Sequence, residues 1–132
     1  MEAGKKDITE RADIELLVNE FYKKVGVDEL LGGIFHGALG QNWQPHLEKM
    51  YAFWHTILLP ESTYSGRPFA PHASLPVEKK HFDRWLDLFR ETVDEYFQGD
   101  NAAFAIRQSV KMADMFQQKL RFLRSQPDKF IQ

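Results

Sequence analysis

The chain has 132 residues, 43% of them apolar, and a net charge of −2 at pH 7, which predicts one globular domain without bulk attraction to nucleic acid or an anionic membrane. It has no cysteine, which excludes disulfides, thiolate nucleophiles and metal sites built on cysteine. Because no stretch reaches the roughly 20 apolar residues of a membrane span and the N-terminus lacks the apolar core of a signal peptide, we expect a cytoplasmic protein without a membrane anchor.

Apolar residues recur at helical spacing in the first half of the chain. A first helix is predicted to begin near Asp7 and Glu10 and to end at Gly26. Its apolar face consists of Ile14, Leu17, Val18, Phe21, Tyr22 and Val25. Residues 28–40, DELLGGIFHGALG, carry four glycines, which predicts short helical turns rather than one regular helix. A second helix is predicted from Pro45 to Leu59, with a wide aromatic face.

The second half of the chain predicts a stiff loop followed by two more helices. Residues 60–76 hold four of the six prolines and no helical periodicity, which indicates a constrained loop of a length that usually serves a function. A third helix is predicted from Pro76 to Gly99, and Asn101 is predicted to cap a fourth. The sequence therefore predicts an all-α single domain over residues 1–132, with a peripheral tail at about residues 1–9.

One histidine, His72, lies between prolines that stiffen the predicted loop on both sides. The pattern alone leaves open a solvated loop histidine and a metal ligand. Glu78 and His81 form an isolated ExxH pair, which does not define a metal site, and we expect His81 to be solvated or partly covered. The many aromatic residues suit either an ordinary core or a pocket for a large flat ligand. No catalytic motif is present, so no catalytic residue is predicted.

Four motifs follow one another along the chain: EFYKKV, WQPHLEKMYAFW, YSGRPFAPHASLP and HFDRWLDLF. In order and spacing they resemble the truncated haemoglobins, most of all the third group of that family, from about Ile14 to Phe122. The most specific part is the pattern Y-x-G-x-P-x-x-x-H-x-x-L, which is met by Tyr64, Gly66, Pro68, His72 and Leu75. The resemblance implies a shortened globin, a two-over-two helical sandwich around one noncovalently held haem b.

The resemblance also implies roles for individual residues. His72 matches the proximal ligand of the haem iron, while Tyr22, His46 and Trp85 match the distal positions where oxygen, carbon monoxide or nitric oxide binds. Further residues of the haem pocket are implied at Phe35, Met50 and Phe53, and at Lys49 and Arg67 as partners of the haem propionates.

Two distal hydrogen-bond donors, the Tyr22 hydroxyl and the Trp85 indole, favour slow release of oxygen. The resemblance therefore implies reversible, tight ligand binding or ligand chemistry rather than bulk oxygen transport. One alternative is a redox enzyme, a nitric oxide dioxygenase or a peroxidase-like protein, served by an external reductase because 132 residues leave no room for a flavin domain. A haem-free helical interaction domain is a third class. The sequence leaves open whether His46 donates to the ligand or gates the pocket, and it leaves open the oligomeric state.

Overall fold

The computed structural model describes residues 5–59 and 76–125, and the regular secondary structure in these ranges is helical throughout. It comprises α1 (Arg11–Val27), α2 (Gly32–Leu39), α3 (Trp43–Leu58), α4 (Lys79–Tyr96) and α5 (Asp100–Arg124). The all-α prediction is confirmed. Over the same ranges, no helix is both long and apolar enough to cross a membrane.

The helices form two layers of two. In one layer α1 packs against α3, and in the other α4 packs against α5. Across the layers α1 meets α4 and α3 meets α5, while the short α2 lies against α1. This confirms the expected two-over-two sandwich. The predicted apolar face of α1 is buried in full, because α1 is covered by three other helices.

The glycine-rich stretch after α1 forms one helix of eight residues, α2, and not the separate short turns that the glycines predict. Asp28 holds the turn before α2, since its carboxylate accepts hydrogen bonds from the backbone N–H groups of Leu30 and Leu31, both at 3.1 Å. Gly32 allows α2 to approach α1 closely, because a Cβ at this position would lie 2.9 Å from the Gly26 carbonyl oxygen. This glycine therefore serves helix packing rather than helix breaking.

The two later helices begin elsewhere than predicted. α4 begins at Lys79, not in a first turn at Pro76, and the backbone N–H of Glu78 donates to Nδ1 of His81 at 2.9 Å. His81 is buried, whereas the sequence predicts a solvated or partly covered side chain. Asn101 does not cap α5, because the helix already begins at Asp100.

The cap of α5 comes from the other end of the chain. The carboxylate of Asp7 accepts hydrogen bonds from the backbone N–H groups of Asn101 at 3.0 Å and Ala102 at 2.9 Å. Gly99 has a φ of 141°, and a Cβ on it would lie 2.5 Å from Cγ of Asp7, so this turn requires glycine. Ile8 is fully buried, whereas Lys5, Lys6 and Thr9 are exposed, so this segment contributes one side chain to the core.

The carboxyl group of Asp7 has a lowered pKa. Its partial burial opposes ionisation, but hydrogen bonds from the backbone N–H groups of Asn101, Ala102 and Ile8 outweigh this cost. Because the folded-state pKa lies below the unfolded one, this carboxylate stabilises the fold above the unfolded pKa. The contribution is lost as the pH falls through the folded value.

Replacing Gly32 with alanine should destabilise the protein by about 1–3 kcal/mol, because the new Cβ collides with backbone that cannot move aside freely. Urea denaturation measures this change. Gly33→Ala is the matched control: a Cβ on Gly33 meets nothing within 4 Å, and alanine is the better helix former. Equal stability of the two variants would contradict the close approach.

Replacing Asp7 with alanine should lower the free energy of unfolding by about 1–2 kcal/mol at pH 7 through loss of the α5 cap. The difference from the parent should shrink as the pH falls below about 4, where the parent carboxylate becomes protonated. Urea denaturation at several values between about pH 3 and pH 7 measures both effects. A variant of the exposed Asp114, Asp114→Ala, is the control. A deficit that stayed constant at acid pH would count against the role of the Asp7 charge.

Candidate functional site

Three of the predicted site residues meet around the tyrosine of α1. The ring of Tyr22 lies edge-on to the imidazole of His46, with 5.1 Å between ring centroids. The ring of Phe35, on α2, lies 6.0 Å from Tyr22. Side chains from three helices, α1, α2 and α3, thus meet at Tyr22.

The Tyr22 hydroxyl is a hydrogen-bond donor in apolar surroundings. Tyr22 is 8% exposed, and burial raises the pKa of its hydroxyl group. The hydroxyl therefore keeps its proton at neutral pH and can donate it in a hydrogen bond. His46 is half-buried, and its Nε2 atom is itself buried. Two polar groups are thereby held together beside aromatic rings.

Trp85 of α4 is joined to this pair through Phe21. The Phe21 ring packs edge-on against both Tyr22, at 4.9 Å, and Trp85, at 5.2 Å. Trp85 also stacks on Phe89, with 5.5 Å between centroids and 4° between planes. This contact fixes the plane of the indole. Trp85 remains half-buried, which leaves part of the ring available to a ligand.

One face of α3 continues the site away from Tyr22. His46, Met50 and Phe53 follow one another at helical spacing on this face, and each is half-buried. Phe53 packs edge-on against Trp54 at 5.4 Å. Such a face is too apolar for the surface and is incompletely covered by the rest of the fold, so it suits a large flat apolar ligand. Lys49, also on α3, is exposed and stays a candidate partner for an anionic group.

Two predicted residues, the proximal candidate His72 and the basic Arg67, lie outside the described residues, as does nearly all of the predicted loop 60–76. Both assignments stay predictions.

Trp43 is a site residue that the sequence reasoning missed. Its indole lies 6.4 Å from both Tyr22 and Phe35, so it belongs to the same aromatic wall. A signal was present, because Trp43 stands three residues before His46 and therefore on the same side of a helix. The predicted start of this helix at Pro45 placed Trp43 outside it, whereas α3 begins at Trp43.

The fold and the site together define a class of protein: an all-helical domain in which a cluster of aromatic rings lies beside hydrogen-bond donors. Within residues 5–59 and 76–125, no three His, Cys, Asp or Glu side chains are grouped so that they could hold a metal ion.

Comparison with known proteins identifies the family. The profile of the family described as Bacterial-like globin matches residues 6–121. The group 3 truncated hemoglobin ctb of Campylobacter jejuni is 33% identical over 111 residues, covering 81% of this chain and 87% of that protein. The crystal structure of a group III truncated hemoglobin from Campylobacter jejuni superposes with a TM-score of 0.81 at 32% identity, covering 88% of this chain and 94% of that one. The group 1 truncated hemoglobin GlbN of Nostoc sp. is 37% identical, over 53% of this chain and 58% of its own.

The chain belongs to the bacterial-like, truncated globin family. Membership of this family implies binding of haem, and binding of oxygen and other diatomic gases. The described residues fit such a group, because Phe35 packs beside Tyr22 and the further apolar side chains of Met50, Phe53 and Trp85 are half-buried on the same core.

Proposed function

We propose that the protein holds one haem b and binds oxygen, carbon monoxide and nitric oxide reversibly, with tight binding or ligand chemistry rather than bulk oxygen transport. The observation that carries this proposal is the packing of buried Tyr22 against His46, at 5.1 Å, beside a half-buried aromatic wall. A haem bound there supplies an iron atom that takes up diatomic ligands, which no protein side chain does.

The distal side chains would stabilise a bound ligand by donating hydrogen bonds. The hydroxyl of Tyr22 is held in its protonated form by burial, and the indole N–H of Trp85 can only donate. Donors placed where negative charge develops stabilise it strongly in a dry pocket. If each bond contributes about 1.4 kcal/mol, each slows ligand loss about tenfold. Two donors therefore favour slow release. We assign His46 to the same side as a third donor or a movable side chain.

We propose His72 as the axial ligand, because the pattern around it matches the proximal segment of the family that the sequence resembles. The contacts of the other histidines support this choice. Nδ1 of His81 accepts a hydrogen bond from the backbone N–H of Glu78 at 2.9 Å, Nδ1 of His55 lies 3.3 Å from Nη1 of Arg11, and Nε2 of His36 donates to the Gly26 carbonyl oxygen at 3.0 Å. His46 packs against Tyr22, which we assign to the distal side.

The first test is haem reconstitution. Haemin added to the purified protein should bind at one haem per chain and give a sharp Soret band that shifts on reduction and again on addition of carbon monoxide. His72→Gly should lose the five-coordinate ferrous spectrum and regain it with added imidazole, which replaces the missing ligand. His81→Gly is the matched control and should keep the spectrum. A parent spectrum identical to free haemin would overturn the proposal, and an unchanged His72→Gly spectrum would remove His72 from it.

The second test concerns the distal tyrosine. Tyr22→Phe should release oxygen about tenfold faster than the parent, because it loses one hydrogen bond while it keeps the ring contacts. Stopped-flow measurement of oxygen dissociation gives the rate. Tyr51→Phe is the control, since Tyr51 is equally buried and its hydroxyl donates to Asn19 instead. Equal rates in the parent and Tyr22→Phe would remove Tyr22 from this role.

We also propose redox chemistry on the ligand, as a nitric oxide dioxygenase or a peroxidase-like enzyme, as a second function. It is favoured by the same donors, Tyr22 and Trp85, because distal hydrogen bonds also promote cleavage of an O–O bond. The matched globin domain spans residues 6–121 and includes no electron-supplying module, so the reductant would come from outside this domain.

A further inference from the structure

His36 has no part in the proposed function, yet it begins a short column of rings that leads from the surface to Tyr22. The His36 side chain is exposed on α2, and its ring lies 5.2 Å from that of Trp43. Trp43 is half-buried and lies 6.4 Å from buried Tyr22, with 73° between the two ring planes. The outermost ring of this column is thus two contacts away from the distal hydroxyl.

The position of His36 is fixed by the end of another helix. Gly26 stands in the last turn of α1, where backbone carbonyl groups have no partner within the helix. Nε2 of His36 lies 3.0 Å from the Gly26 carbonyl oxygen and donates to it. A Cβ on Gly26 would lie 3.8 Å from both Nε2 of His36 and Cη2 of Trp43. The end of α1, the imidazole and the indole therefore meet at one place.

Trp43 needs support of this kind because it is the first residue of α3. Helix ends fray and hold their side chains less firmly than helix interiors. A ring anchored by a hydrogen bond to α1 and packed against the indole limits this freedom. Phe35 also contacts the indole, with 6.4 Å between ring centroids, so two residues of α2 pack on Trp43.

We propose that His36 is a positioning residue for the distal side: it holds the Trp43 indole against Tyr22 and thereby sets the placement of the Tyr22 hydroxyl. The inference rests on the proposed function in one respect, namely that Tyr22 faces the bound ligand. The physical coupling from His36 to Tyr22 is a property of the chain itself and can be measured without haem.

The test compares two substitutions that separate the hydrogen bond to α1 from the ring contact with Trp43. His36→Gln keeps an N–H donor for the Gly26 carbonyl oxygen but has no ring to pack on Trp43. His36→Ala lacks both. His55→Ala is the control, because His55 is a histidine of α3 whose Nδ1 contacts Arg11 and which has no place in the column.

The first readout uses the haem-free protein. The NMR shifts of the Tyr22 and His46 ring protons should move in both His36 variants and not in His55→Ala, while His36→Gln should recover part of the stability that His36→Ala loses. A purely structural role predicts that glutamine restores stability and ring shifts together. That result, or unmoved Tyr22 and His46 signals in His36→Ala, would overturn the proposal.

The second readout uses the haem-loaded protein. Oxygen dissociation and the C–O stretching frequency of the carbon monoxide complex should change in both His36 variants, the rate by between about twofold and thirtyfold, as is typical of residues that act through a neighbour. Moved ring signals with unaltered rates and frequency would overturn the positioning role. If the parent binds no haem, the proposed function fails, and the haem-free spectra alone decide whether His36 is coupled to Tyr22.

Discussion

The rest of the structure depends on two consecutive side chains of α1, Phe21 and Tyr22, which point to different neighbours. Phe21 packs edge-on against Trp85 and against Phe89, at 5.2 and 5.3 Å, and so binds the first layer to the second. Tyr22 packs against His46 of α3 at 5.1 Å. Adjacent positions on a helix differ in direction by about a quarter turn or slightly more, so one short segment can serve two interfaces. The same dipeptide therefore fixes the sandwich and the site.

This arrangement places polar groups where an interior built only for stability would place apolar ones. A tyrosine hydroxyl removed from water costs about 1–3 kcal/mol unless a partner repays it. Burial of Tyr22 also raises the pKa of its hydroxyl, because the charged phenolate would lose more hydration than the neutral group. The edge-on contacts of its ring with Phe21 and His46 offset part of it, at about 0.5–1.5 kcal/mol each. Deviations from the best core are typical of functional sites.

The helices and the apolar face of α1 could be predicted from the sequence because both rest on local periodicity, which is a property of neighbouring residues. The cap of α5 could not, since Asp7 lies 94 positions before Asn101 and only the fold brings them together. The prediction of short turns from the glycines of α2 was wrong for a related reason. Their local effect is to weaken a helix, whereas the contact of Gly32 with the Gly26 carbonyl group is tertiary. His81 was expected at the surface because the two lysines before it are polar, but its Nδ1 accepts the Glu78 N–H.

In the candidate site, too, some residues could be predicted from the sequence and others could not. The resemblance to a family identified Tyr22, His46 and Phe35, and the structure brings these three together. It could not identify His36, whose contacts with Gly26 and Trp43 are tertiary and become visible only in the folded structure. A motif describes residues that face the ligand, and it says little about residues that hold them in place.

The core and the proposed ligand face adjoin, because Met50 and Phe53 pack against the buried cluster while part of each side chain stays exposed. This incomplete burial has an energetic consequence. Ile14, Phe89 and Leu120 are buried by protein atoms alone, whereas Met50 and Phe53 on α3 remain half-buried. Burial of apolar surface is the main source of stability, at about 25 cal/mol per Å². A flat apolar ligand that covered the α3 face would therefore add burial that the chain alone does not achieve. Since such a ligand binds the folded state in preference to the unfolded one, it would raise the free energy of unfolding by linkage. The buried side of α3, with Tyr51, Trp54 and Leu58, thus belongs to the core, while its half-buried side is where the proposed ligand would complete the burial.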